Sequence, residues 1–167
     1  MRYIISACFC LVLFISCKKE SDSRVDIYML KSFTANINQS MFPGTTIISN
    51  AVLEATPLVS DKDIVYYTRS TSTFKLKKDI KSAIEDYGAD KAFAVTVNGE
   101  VVYYGLFHPA YLSSLVFGLA TIDPFLYNDK ELAIQFVEIT DNPDLKKLDK
   151  RNDESIINVF SGSGRLR

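Results

Sequence analysis

Cysteine is scarce and badly placed for stabilising a fold. Cys8, Cys10 and Cys17 are the three cysteines of a 167-residue chain, so everything downstream of position 17 is cysteine-free. A domain there has no disulfide, no thiolate metal cluster and no cysteine nucleophile, and its core alone must hold it. Histidine is nearly absent too: His108 stands alone, so a histidine-based zinc site lacks its second ligand. Basic charge is not in excess, with 19 Lys and Arg against 20 Asp and Glu, a net charge of -1 and a sequence pI near 5.8. Such a chain has little to neutralise phosphates with, which argues against a nucleic-acid partner. Long apolar runs are also missing except for one at the N-terminus, which excludes a polytopic membrane protein. Core material is plentiful: 47% of residues are hydrophobic, including 11 Phe and 9 Tyr. This is the composition of one globular domain and not of a disordered acidic chain.

The N-terminal run has the anatomy of an export signal. Met1-Arg2 supplies a short positive region, residues 3–16 (YIISACFCLVLFIS) are uncharged and mostly apolar, and Cys17 is followed by Lys18-Lys19-Glu20-Ser21-Asp22. Fourteen residues rise about 21 Å as a helix, short of the roughly 30 Å of bilayer hydrocarbon, so a cleaved signal fits better than a span. Phe14-Ile15-Ser16-Cys17 resembles a bacterial lipobox, with Phe14 where Leu is commonest. In that motif the Cys thiolate is the nucleophile that takes the lipid. Cys8 follows Ile5-Ser6-Ala7, but only seven residues precede it, too few for an apolar region. The resemblance therefore implies lipidation of Cys17, a signal peptide over residues 1–16 and a tether over 17–24. The charged tether is similar to those of Bacteroidota lipoproteins and implies a lipid-anchored place in the cell envelope. Removal of the signal leaves about 150 residues, enough for an unaided core.

Past the tether the pattern predicts an α+β fold: a small, mostly antiparallel sheet with a central Asn-Gly hairpin and one main packed helix. The core domain is expected over residues 25–140, and a charged, partly disordered tail over 141–167. Residues 24–33, 45–53, 64–69 and 73–76 read as strands by propensity. Ser60 is placed to cap a short helical turn, and Asp61 and Asp63 read as helix-start charges. Leu76, Ile80, Ala83, Ile84 and Tyr87 form a helical stripe ended by Gly88, with Lys77 and Lys78 early and Glu85 and Asp86 late. Those charges oppose the macrodipole, so the helix over 76–87 needs the sheet to hold it. Asn98-Gly99 between two β-rich runs is a type I′ hairpin signal. A plain two-residue loop pairs Val95 with Val102 and Phe93 with Tyr104, and both faces are apolar, which makes the hairpin central. Residues 132–139 read as a last core strand, and Asn142-Pro143-Asp144 as a turn opening a helix.

The order Pro57-Leu58-Val59-Ser60, Asp63-Ile64, a strand, the helix, residues 92–107 and Ser113-Ser114 resembles the head of the first periplasmic domain of the SecD translocase subunit. The resemblance covers residues 52–122 and rests on generic β-α-β features. It implies a fold and a tendency to bind extended polypeptide; the membrane machinery of that family has no counterpart here, so export-motor activity does not carry over.

Chemistry-bearing groups are few. Ser113 and Ser114 follow His108 closely, but no nucleophile-elbow context surrounds them, and Pro109 marks His108 as a strand-terminal residue. The aromatics Tyr66, Tyr67, Tyr103, Tyr104, Phe107 and Tyr111, with His108, are the candidate binding residues. Neighbours on a strand face opposite ways, so each Tyr pair commits one ring to each side. No catalytic residue, metal or cofactor is expected. The expectation is a non-enzymatic, membrane-anchored binding module for protein, peptide or glycan. An envelope hydrolase using His108 and an Asp, or an immunity-type inhibitor lipoprotein, are the alternatives.

Overall fold

The computed structural model describes residues 23–40, 44–125, 128, 130–137 and 142–167. Cys17, the signal and most of the tether lie outside the described residues. Among those described, the chain is mixed α and β, with nine strands in two mostly antiparallel sheets and three helices. None of its helices is long and apolar enough to cross a membrane.

The strands are β1 (Val25–Asn38), β2 (Thr45–Leu53), β3 (Ile64–Thr68), β4 (Thr73–Leu76), β5 (Ala92–Val97), β6 (Glu100–Phe107), β7 (Ala120–Ile122), β8 (Glu131–Ala133) and β9 (Gln135–Phe136). The larger sheet runs β2-β1-β5-β6-β7-β9, with β5 and β6 at its centre, and the smaller runs β3-β4-β8. Among the described strands only the β6–β7 pairing is parallel. β1 is long because it serves two partners. Its first five residues pair with β5, and the stretch from Leu30 pairs with β2 through two register irregularities. The β1–β2 ribbon thereby swings across one face of the central strands, and Thr46 N–H donates to Phe117 O at 2.9 Å on the far side.

At the β5–β6 turn Val97 pairs with Glu100, and Asn98 and Gly99 take φ of 56° and 86°. This is the left-handed pair a two-residue primed turn requires. The register beyond it differs from the simple expectation. A bulge falls between Val95 and Thr96 pairings, so Val95 meets Tyr103, Ala94 meets Tyr104 and Phe93 meets Gly105. One extra residue on β6 exchanges the faces of the two tyrosines. Tyr103 joins Phe93, Val95 and Phe107 in the core between the sheets, while Tyr104 joins Ala92, Ala94 and Leu106 under the ribbon. Gly105 fits this register because a Cβ there would collide with the Phe93 ring and lie 2.7 Å from Ala120 O.

The expected helix over 76–87 is corrected. Leu76 ends β4, and α1 is a single turn, Lys81–Ile84, whose Ile84 is buried. The apolar spacing was satisfied by a strand end and a turn, and the opposing charges gave a longer helix nothing to gain. The expected tail is corrected as well. Asn142 caps α2 (Pro143–Leu148), accepting from the N–H groups of Asp144 and Leu145. Asp153 caps α3 (Glu154–Gly162), which is the main packed helix and buries Ile156, Val159 and Phe160. Phe160 stacks on Tyr67 at 5.4 Å and meets Phe74 edge-on at 5.9 Å. The core domain therefore includes residues 142–167. The single strand expected over 132–139 is two: the chain leaves the small sheet after Ala133 and enters the large one at Gln135. Buried Ile134 makes the switch, its N–H bonded to Ser72 O.

Asp61 and Asp63 open a 3₁₀ turn (Asp61–Asp63) after Ser60, whose hydroxyl donates to Asp63 Oδ2 and accepts from no backbone N–H of the turn, so the expected cap is not made. Asp61 does more than begin a turn. Its carboxylate accepts from Val25 N–H and both its oxygens accept from Arg165, at 2.9 and 3.0 Å. This fastens residues 165–167 along β3, where Tyr67 and Arg69 N–H bond Arg165 and Arg167 carbonyls.

Candidate functional site

The end of the β5–β6 hairpin remote from Asn98 carries the best-formed exposed feature. After Phe107, His108 N–H donates to Ile122 O and continues the parallel pairing, and Pro109 is buried. The two loops that follow β6 and β7 are joined by one carboxylate. Asp123, 7% exposed, accepts from Ala110 N–H at 3.1 Å and from Phe125 N–H at 2.8 Å. The Asp-Pro step makes an Asx-type turn, and the second oxygen reaches across to the other loop. The rings of Tyr111 and Phe125 then stand 5.6 Å apart, inclined at 63°. Tyr111 is 71% and Phe125 56% exposed, and Leu115 on the same loop is 65% exposed. A tilted ring pair on two loops joined through Asp123 offers flat apolar area with one phenolic tip, a surface suited to stacking on peptide or sugar groups.

Of the candidate binding residues, the structure brings only Tyr111 into this platform. His108 sits beside it, half-buried, with Nε2 at 2.8 Å from Ser114 O. That partner is a backbone carbonyl and not a serine hydroxyl. Tyr67, Tyr103 and Phe107 are buried. Tyr67 donates its hydroxyl to Arg151 O, and burial raises its pKa. Phe107 meets Tyr87 and Phe93 edge-on. Half-buried Tyr66 lies under the Arg167 guanidinium at 5.8 Å. Sequence reasoning missed Phe125 and Asp123; the signal was Asp123-Pro124 placed one residue before an aromatic.

Tyr104 belongs to a second feature, an apolar groove of about 340 Å³ beneath the β1–β2 ribbon. Thr45, Ile48, Tyr104, Leu119, Phe136 and Lys150 are among its walls. Gly118, at φ 75°, lets Thr45 seat closely, since a Cβ would lie 2.8 Å from it. Tyr103 also lines the groove. Its hydroxyl is buried without a hydrogen-bond partner among the described residues, and burial pushes its pKa well up, leaving a protonated donor. Among the described residues no group of three or more His, Cys, Asp and Glu is placed to hold a metal ion.

Comparison with protein-family models, curated proteins and solved structures gives no match to this chain.

Proposed function

We propose that this protein is a non-enzymatic binding module of the cell envelope, tethered to a membrane through acylated Cys17, with the Tyr111–Phe125 platform as its partner-facing surface. The observation that carries the reading is the placement of the platform relative to the tether. Arg24 N–H bonds Asn98 Oδ1, so the chain enters the domain at the hairpin tip. The platform lies past the other end of β6, whose eight residues span about 26 Å. The six residues between Cys17 and Arg24 reach at most about 25 Å. A domain held so closely at its tip presents its opposite end away from the membrane, where envelope polypeptide or glycan is met. Anchoring confines it there and raises its effective concentration near that partner. A multiply acylated cysteine anchors stably where one chain would not.

A photo-crosslinking residue placed at position 111 in intact cells tests this. A discrete adduct that weakens at least tenfold with Phe125→Ala is expected, since exposed aromatic anchors contribute about 1–2 kcal/mol or more. Adducts identical to those from a crosslinker at exposed Lys31 would contradict the assignment of this surface.

A further inference from the structure

The groove beneath the ribbon lies on a different part of the molecule from the platform, and its chemistry points to a different ligand. We infer that it binds a single-chain amphiphile with an anionic head, a long-chain carboxylate, with the chain under the ribbon and the head at Lys150.

Three observations converge on that ligand. The groove is concave, within the size range of small-molecule sites, and most of its wall is aliphatic or aromatic: Ile47, Ile48, Leu119, Ala120, Phe136 and Leu148. Ile47 and Leu148 line it yet remain substantially exposed, so the mouth presents apolar surface that an inserted chain would cover. The second observation is charge. Among the described residues Lys150 is the one ionised side chain in the lining, which includes no carboxylate. Its amine stands 3.7 Å from Asp153 Oδ2, a partly exposed pair, and such pairs are weak enough to yield to a second anion. An apolar trough whose described lining carries one cation, with its partner Asp153 outside that lining, favours an apolar chain ending in negative charge.

Position supplies the third. Lys150 also borders a shallower polar recess with Asn98 and Glu100 at the hairpin tip, the end at which Arg24 enters. On the anchored reading proposed above, on which this third point rests, the charged mouth of the groove is on the side held toward the membrane, where single-chain amphiphiles partition.

The test uses the full chain reconstituted in zwitterionic vesicles and a palmitic acid carrying a diazirine on its chain. Photolysis is expected to label peptides containing residues 45–48, 118–120 or 148–150. Lys150→Glu should cut labelling roughly tenfold, and Thr46→Trp, which fills the groove from the half-exposed ribbon, should abolish it. The methyl ester of the same probe, lacking the anion, should label these peptides several-fold less. Labelling confined to the N-terminal peptide, labelling indifferent to both variants, or equal labelling by acid and ester would each overturn the inference. Because Tyr111 lies at the other end of the hairpin, its crosslinking is unaffected by these variants, so the two readings fail separately. Thermal unfolding of each variant shows whether the fold has survived; if Thr46→Trp does not fold, Lys150→Glu and the ester still decide.

Discussion

Gly105 and Asp123 each hold a position that no other residue type would fill well. A methyl at Gly105 would enter the space of the Phe93 ring and approach Ala120 O. Gly105→Ala is therefore expected to cost about 1–3 kcal/mol, the usual penalty for overpacking a filled core, read as a lower denaturant midpoint at unchanged slope. Asp123 bonds two N–H groups on separate loops. Asp123→Ala should cost about 2 kcal/mol, since bonds to a charged acceptor are the stronger kind. It should also speed amide exchange at Ala110 and Phe125 while leaving β5 protected. By contrast Tyr111→Ala should shift stability by no more than about 0.5 kcal/mol, as exposed side chains do. Unchanged exchange in Asp123→Ala would show that the carboxylate does not position the platform.

Elements show where the sequence was legible and where physics hid the answer. Asn98-Gly99 announced its turn because only residues tolerant of positive φ suit both central positions. The bulge that follows had no such marker, since Val101 and Val102 are both good strand residues and either could be the extra one. The helical stripe from Leu76 to Tyr87 was real as spacing but ambiguous as structure. Leu76 reaches the core from β4 and Ile84 from one turn of α1, so the same apolar period served two elements. The strand change at Ile134 was equally hidden, because a buried residue between two sheets is apolar in either. For α3 the signals were present: Asp153 as cap, then Ile156, Val159 and Phe160 at helical spacing. They were masked by the charged residues around them. Phe160→Ala should cost about 3–5 kcal/mol, the loss for a buried aromatic; a cost near zero would mean that α3 is not part of the core. Of the site, Tyr111 was legible as an aromatic beside a strand end. Phe125, Asp123 and Lys150 were not, because their roles arise from loops and groove walls brought together over long separations.

For the molecule as a whole, several carboxylates tie distant segments together, and acid should loosen them. The Ser60 hydroxyl, helped by Lys78, holds Asp63 below the usual carboxylate range despite some burial. At Asp149 burial works the other way, but the bonds from Arg151 outweigh it and its pKa is also lowered. Asp153 is lowered in the same sense, burial being overcome by Ser155 and Lys150. A depressed folded pKa contributes stability that is fully present above the unfolded value, about 3.9. It is lost as the pH falls through the lower folded values. Stability should hence be flat from pH 7 to about 5 and fall below about pH 4. Asp149→Asn should make that fall shallower, as read by urea midpoints across the series. A steep loss between pH 6 and 5 would contradict this assignment.

Tether, platform and groove make sense together only if the domain is held at its hairpin tip. Metabolic labelling with radioactive palmitate, followed by detergent phase partition of the native and Cys17→Ser chains, tests that most directly. The account predicts label in the native chain and recovery in the detergent phase, both abolished by Cys17→Ser. Label persisting in the substituted chain, or a native chain found unlabelled in the aqueous phase, would contradict it.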